Sequence, residues 1–189
     1  MKRSRSTLRL PLLGLLFAVL TACGGGGGGG SSNPPPPPAA ALRLSYTDPA
    51  TGSYRLVRNS SSTDKDLYLD LKGPAGTLGT GVAIALNTNT GMVAWDTTVA
   101  NGKAFNLGAT NPLLKGQLVG SEFQAVLVQK GMGAPVDLGS AVLATFHLSL
   151  GPGATAGPVT LAPVAARCQV LTKAGIKGMP LAVGSLEVK

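Results

Sequence analysis

From residue 42 onward, apolar and polar positions alternate along the chain in short runs. Leu42, Leu44 and Tyr46 alternate with Arg43, Ser45 and Thr47, and Leu67, Leu69 and Leu71 with Tyr68, Asp70 and Lys72. Val82, Ile84 and Leu86 alternate with the small Ala83 and Ala85. Phe123, Ala125 and Leu127 share one parity, as do Val142, Ala144, Phe146, Leu148 and Leu150. A period of two over roughly five to nine residues describes a strand with one buried and one wet face. Shorter runs lie at Tyr54–Arg58, Met92–Trp95, Ala104–Leu107, Val159–Ala162, Ala166–Leu171 and Leu181–Val188. No long segment carries apolar residues at helical spacing with suitable caps. Turn residues fill the gaps, as in Asp48-Pro49, Gly73-Pro74 and Gly151-Pro152-Gly153, and Asn101-Gly102 is the strongest two-residue hairpin signal. About ten short strands separated by turns predict an all-β fold, an antiparallel β-sandwich over residues 42–189.

The first 41 residues have a different pattern. Lys2, Arg3, Arg5 and Arg9 precede LPLLGLLFAVL at 10–20, a run without charge or polar side chains. This is the layout of a secretory signal, and the run is shorter than the roughly 20 residues of a spanning helix. The early bases also account for half of the net charge of +8. The rest of the chain holds 12 bases against 8 acids, dispersed along its length. Dispersed bases on an exported chain argue against a nucleic-acid partner. Arg55, Arg58, Lys65 and Lys72 give the early strands a mild basic bias.

Leu20-Thr21-Ala22-Cys23 comes next: a branched apolar residue, two small residues and a cysteine. It resembles the lipobox of bacterial lipoproteins. That resemblance implies cleavage between Ala22 and Cys23, a diacylglycerol on the Cys23 thiol and a fatty acyl group, such as palmitate, on its new amino group. Residues 1–22 are then a signal peptide, and the lipid bilayer is a partner through Cys23. The next residue is Gly24 rather than Asp, which in Gram-negative lipoproteins implies sorting to the outer membrane. Residues 24–41 read GGGGGGGSSNPPPPPAAA and supply nothing to build a core. With Cys23 they form a disordered Gly/Ser/Pro tether, 23–41, reaching about 60 Å at most.

A second resemblance spans about 110 residues of the sandwich. DLYLDLKGPAGTLGTGVAIALNTNTGMVAW is similar to the first half of a cohesin-type module, and EFQAVLVQ, GSAVLATFHLSL and GPVTLAPVAARC to its second half. The resemblance implies a jelly-roll sandwich of about nine strands, an architecture shared with several carbohydrate-binding modules. At the fourth strand this chain has Leu86-Asn87 where many cohesin-type modules carry Tyr-Asp, and no dockerin-binding residue carries over.

Candidate chemistry is sparse. His147 is the sole histidine, on the wet parity of its strand, with Ser149 two residues on and no evident orienting carboxylate nearby. A zinc site built on it needs several converging carboxylates. Eight acids are spread thinly, and a glycosidase needs two facing across a cleft. Asp64-Lys65-Asp66 offers oxygen ligands to Ca²⁺, although the intervening lysine weakens them and a solvated turn is the competing reading. No catalytic residue, resident metal or cofactor is assigned. Trp95, Tyr54 and Tyr68, with Phe105, are candidates for a ligand-facing aromatic display; Trp95 also fits a core position. Cys168 has no partner once Cys23 is lipidated, which favours burial.

These features predict an envelope lipoprotein with a non-catalytic sandwich. Its partner is an envelope protein, for a cohesin-like interaction or scaffolding module, or a polysaccharide, for a carbohydrate-binding module. A hydrolase is the third reading.

Overall fold

A computed structural model describes residues 41–105, 113–129 and 133–189. The expected signal peptide, Cys23 and all but the last residue of the expected tether lie outside the described residues. The remainder folds as the antiparallel sandwich that the alternation predicts.

One large sheet contains β2 (Tyr54–Arg58), β3 (Asp66–Lys72), β6 (Val93–Trp95), β11 (Ala144–Leu150) and β16 (Leu181–Ala182), in the order β16-β2-β3-β11-β6. The short β7 (Ala100–Asn101) also pairs with β11, and β16 joins β2 in parallel. The other large sheet contains β5 (Gly81–Thr88), β8 (Leu113–Val119), β9 (Glu122–Val128), β14 (Gln169–Thr172) and β15 (Gly175–Gly178), in the order β15-β14-β5-β9-β8, with β13 (Leu161–Pro163) also on β5. Two smaller sheets are β1 (Leu44–Thr47), β17 (Ser185–Val188) and β12 (Gly157–Val159), and the pair β4 (Leu78–Gly79) and β10 (Val136–Asp137).

The inward parity of each strand makes the core. Leu67, Leu69 and Leu71 of β3 and Phe146 and Leu148 of β11 face Ile84 and Leu86 of β5 and Phe123 and Leu127 of β9, all at most 2% exposed. Phe123 meets Phe146 edge-on at 5.8 Å, so the two sheets touch through aromatic rings. Tyr46 is buried as its parity predicts, donating its hydroxyl to the Leu56 carbonyl.

Two readings of the pattern need correction. Asn101-Gly102 does not reverse the chain. Asn101 pairs with Ala144, and Lys103 forms an isolated bridge with Val142, so the segment runs on along β11's end. Gly102 is required there because a Cβ would collide with the Val142 carbonyl, and the turn's positive φ falls on Lys103 at 81°. The runs Val159–Ala162 and Leu181–Val188 are each two strands. The chain leaves one sheet and enters another at Thr160, and again between Ala182 and Ser185.

Candidate functional site

The outer face of the β15-β14-β5-β9-β8 sheet is the most distinctive surface of the described residues. Register aligns its side chains in rows across the strands. Ile176 stands beside Leu171, Leu171 beside Gly81, Gly81 beside Val128, and Val128 beside Leu113. This row is apolar from one edge of the sheet to the other. Ile176 is 68% exposed and Leu113 58%. The next row runs Gln169, Ala83, Val126 and Lys115, with Val126 also exposed. The small side chains of Ala83 and Ala85 leave a shallow groove between Val126, Gln124, Lys115, Gln117 and Arg167.

The far end of the face is polar and tied together. Gln117 donates to Gln124, Gln124 donates to Glu122, and the Arg167 guanidinium meets Glu122 at 2.5 Å. Arg167 is held there by a single 3-10 turn, Ala165–Arg167, just after β13. Among the described residues Lys115 on β8 is a further cation on this face and Lys173 lies in the β14–β15 turn at its margin, both exposed; Lys177 of β15 pairs with buried Val170 and lies on the opposite parity. The face is therefore an apolar stripe with Lys115 and Lys173 at its margins.

The sequence did not point to this face. β8 shows no alternation, since Leu113, Leu114, Leu118 and Val119 put apolar groups on both sides of an edge strand. The available signal was the strip of small residues, Ala83 and Ala85, between buried Val82, Ile84 and Leu86.

The aromatic display expected from Trp95, Tyr54 and Tyr68 is not assembled. Trp95 points inward at 8% exposure, stacked on Phe123 at 4.3 Å, and its indole N–H donates to Thr88 Oγ1. Tyr54 and Phe105 are buried as well. Tyr68 alone stands on an outer face, half-buried and stacked on His147 at 4.5 Å. A stacking platform for sugar rings needs open aromatic faces, and these three positions do not supply one.

The surroundings of His147 differ from the expectation in the opposite direction, because two carboxylates flank the ring. Asp66 Oδ1 lies 3.0 Å from Nε2 and Asp96 Oδ2 lies 3.6 Å from Nδ1. Asp66 is brought there by the β3–β11 register, which sets it opposite Ser149, one row from His147. Asp96 is brought there by the end of β6, where its amide donates to the His147 carbonyl. Asp66 of the Asp64-Lys65-Asp66 segment is thus committed to the imidazole. Among the described residues no three His, Cys, Asp or Glu side chains converge as a metal site. Cys168 is fully buried and its thiol reaches the Ala85 carbonyl, with burial pushing its pKa up.

No protein-family profile matches the chain, and no curated protein sequence matches it. Solved structures do. CaCohA2 from Clostridium acetobutylicum, in solution, is similar over 77% of this chain and 88% of its own, with a TM-score of 0.51 and 12% identity. A cohesin module of a Clostridium perfringens family 33 glycoside hydrolase aligns over 75% of this chain and 96% of its own, with a TM-score of 0.45 and 12% identity. A cohesin ScaC module from Acetivibrio cellulolyticus, solved in complex with the ScaB dockerin, aligns over 62% and 87%, with a TM-score of 0.46 and 9% identity. The sandwich is of the cohesin-like kind, and at these identities the likeness is one of fold.

Proposed function

We propose that this chain is a lipid-anchored envelope protein whose sandwich docks a protein partner on the outer face of the β15-β14-β5-β9-β8 sheet. The observation that carries the reading is the apolar row Ile176, Leu171, Val128 and Leu113, left open across a whole sheet. An exposed stripe of aliphatic side chains framed by polar groups is the surface of an interaction site rather than of a solvated sheet. Lys115 and Lys173 at its margins select a partner with carboxylates beside its own apolar contact residues. The cohesin-like fold agrees with such a role. Cys23 carries the lipid, the tether holds the module off the bilayer, and the outer membrane is the destination that Gly24 favours.

The test is crosslinking and capture from the native envelope with the full-length protein, comparing wild type with Ile176→Asp/Val126→Asp and with Tyr68→Ala as a control on the opposite sheet. Docking on this face requires that the double variant lose the captured protein, with unchanged thermal stability, while Tyr68→Ala retains it. Equal capture by all three proteins removes the proposal.

A further inference from the structure

β8 ends its sheet as a long open edge. It runs for seven residues, Leu113–Val119, and no other strand of the described residues pairs with its outer side. The other outermost strands of the two large sheets are short: four residues in β15, where Gly175, Lys177 and Gly178 discourage further pairing, three in β6 and two in β16. β8 has no proline, and its pairing with β9 is unbroken by a bulge. Leu113, Leu118 and Val119 are 58%, 43% and 55% exposed, three of the six large apolar side chains so exposed among the described residues. Apolar exposure is thus concentrated on this one strand.

Register with β9 fixes which backbone groups face the open side. Val119 and Glu122 flank a two-residue turn, Gly120-Ser121, with Gly120 at φ 61°. Such a turn bonds its first residue to its fourth, so Val119–Glu122 is a hydrogen-bonded pair. By alternation, so are Gln117–Gln124, Lys115–Val126 and Leu113–Val128. The N–H and C=O groups of Leu114, Gly116 and Leu118 therefore point away from β9, toward the open edge.

The strand is also its own complement. Outward from Gly116 it reads Lys115, Leu114, Leu113 in one direction and Gln117, Leu118, Val119 in the other: polar, apolar, apolar both ways. An antiparallel copy centred on Gly116 sets Leu114 against Leu118 and Gly116 against Gly116, the hydrogen-bonded pairs that the outward groups require. Leu113 then meets Val119, and Lys115 meets Gln117, in the closer positions without hydrogen bonds. Lys115 has no ion pair among the described residues. Gln117 spends its N–H on Gln124, which leaves its carbonyl oxygen to accept from the facing ammonium. Sliding the copy by one step of the two-residue period, which keeps the backbone in phase, sets Lys115 against Lys115 or against Val119 instead.

We infer that β8 pairs antiparallel with β8 of a second copy of this chain, about a two-fold axis through Gly116, and so joins two β15-β14-β5-β9-β8 sheets into one. The interface is isologous, each copy giving the same strand. It is smaller than the standard protein interface, so the dimer exchanges with monomer. The second strand joins in the plane of the sheet and leaves the outer face open, so the pairing stands or falls separately from the docking reading.

The test uses the full-length protein with cysteines at exposed positions of the strand. In this register residues 115 and 117 of the two copies face each other with Cα atoms about 4.5 Å apart, within disulfide reach, while 115 and 115 lie on a diagonal of about 7–8 Å, beyond it. A mixture of Lys115→Cys and Gln117→Cys chains, mildly oxidised, should give about five-fold or more disulfide-linked dimer than either chain alone on a non-reducing gel. Wild type sets the background from its own cysteines. Sedimentation velocity of the wild type should show a monomer–dimer equilibrium, and Val119→Lys, which sets a charge against Leu113, should weaken it about ten-fold or more. A mixture that crosslinks no better than its components, a Val119→Lys dimer of wild-type strength, or a wild-type monomer up to about 1 mM overturns the inference, whatever other strand is found to add to this edge.

Discussion

Trp95 and Phe123 lie stacked with their ring centroids 4.3 Å apart and 13° between their planes, and so join an edge strand of one sheet to a central strand of the other. The indole N–H adds a second tie, to Thr88 Oγ1 on β5 at 3.0 Å. Trp95→Ala removes the largest ring at that edge and should cost about 3–5 kcal/mol. Thr88→Val keeps the shape but leaves the indole donor buried without this acceptor, for about 1–3 kcal/mol. Urea denaturation monitored by far-UV circular dichroism measures both, since the first variant has no tryptophan left to fluoresce. Two variants at wild-type stability would mean that Trp95 is not in the core.

Tyr46 gives the fold an alkaline limit. Its hydroxyl donates to the Leu56 carbonyl and accepts from the Gly184 amide at 2.8 Å, stitching β1 to β2 and to the approach to β17. Burial, outweighing the Gly184 hydrogen bond, pushes its pKa up to about 12. The unfolded phenol ionises near pH 10, so the stability tied to the neutral hydroxyl is complete below that value and drains away as pH rises toward 12. Thermal melts from pH 8.5 to 11.5 should show a fall in melting temperature that is shallower in Tyr46→Phe. The buried Cys168 thiol, also raised by desolvation, contributes in the same direction from lower pH, and Cys168→Ala separates the two.

Much of this architecture was legible in the alternation. Leu67, Leu69 and Leu71, or Phe146 and Leu148, state by parity which way they face, because one side of each strand is wet. The same logic is silent where both sides are covered or both are apolar. Leu143 and Ala144 are adjacent and both fully buried, and β8 has apolar residues on its outer side. Contacts set by register were out of reach. Asp66 and Asp96 are 81 and 51 positions from His147, and nothing local announces that β3 and the end of β6 bracket β11. Aromatic display failed for a related reason. Trp95 sits in a three-residue strand, too short for its parity to be read.

Gly116 of β8 faces inward in register with Ala125, over the segment Thr97–Val99. A methyl group at that position meets the Thr97 carbonyl and the Val99 side chain, both fixed by the segment after Asp96. Gly116→Ala must therefore displace Thr97–Val99 or bend β8, at about 1–3 kcal/mol. Gly91→Ala is the control, since a Cβ there meets nothing. Chemical denaturation of the pair gives the comparison, and equal stability would place Thr97–Val99 away from β8.

The last prediction concerns the proposed anchor, which lies before the described residues. Hydrophobic transfer contributes about 0.8 kcal/mol for each CH₂ buried in a bilayer, so one acyl chain holds a protein reversibly and several hold it for good. Lipidation at Cys23, as proposed, would supply several chains through a single thiol and the new amino terminus. Cys23→Ser removes the nucleophile that accepts the diacylglycerol, and leaves the apolar run at 10–20 and the tether untouched. The variant should leave the membrane fraction or remain as an unprocessed precursor. Wild type should give an N-terminal mass heavier than the bare residues 23–189 by the lipid. An unmodified mass for the wild-type protein, or a Cys23→Ser protein that is cleaved and membrane-bound at wild-type levels, would detach the sandwich from the bilayer and leave it a freely diffusing module.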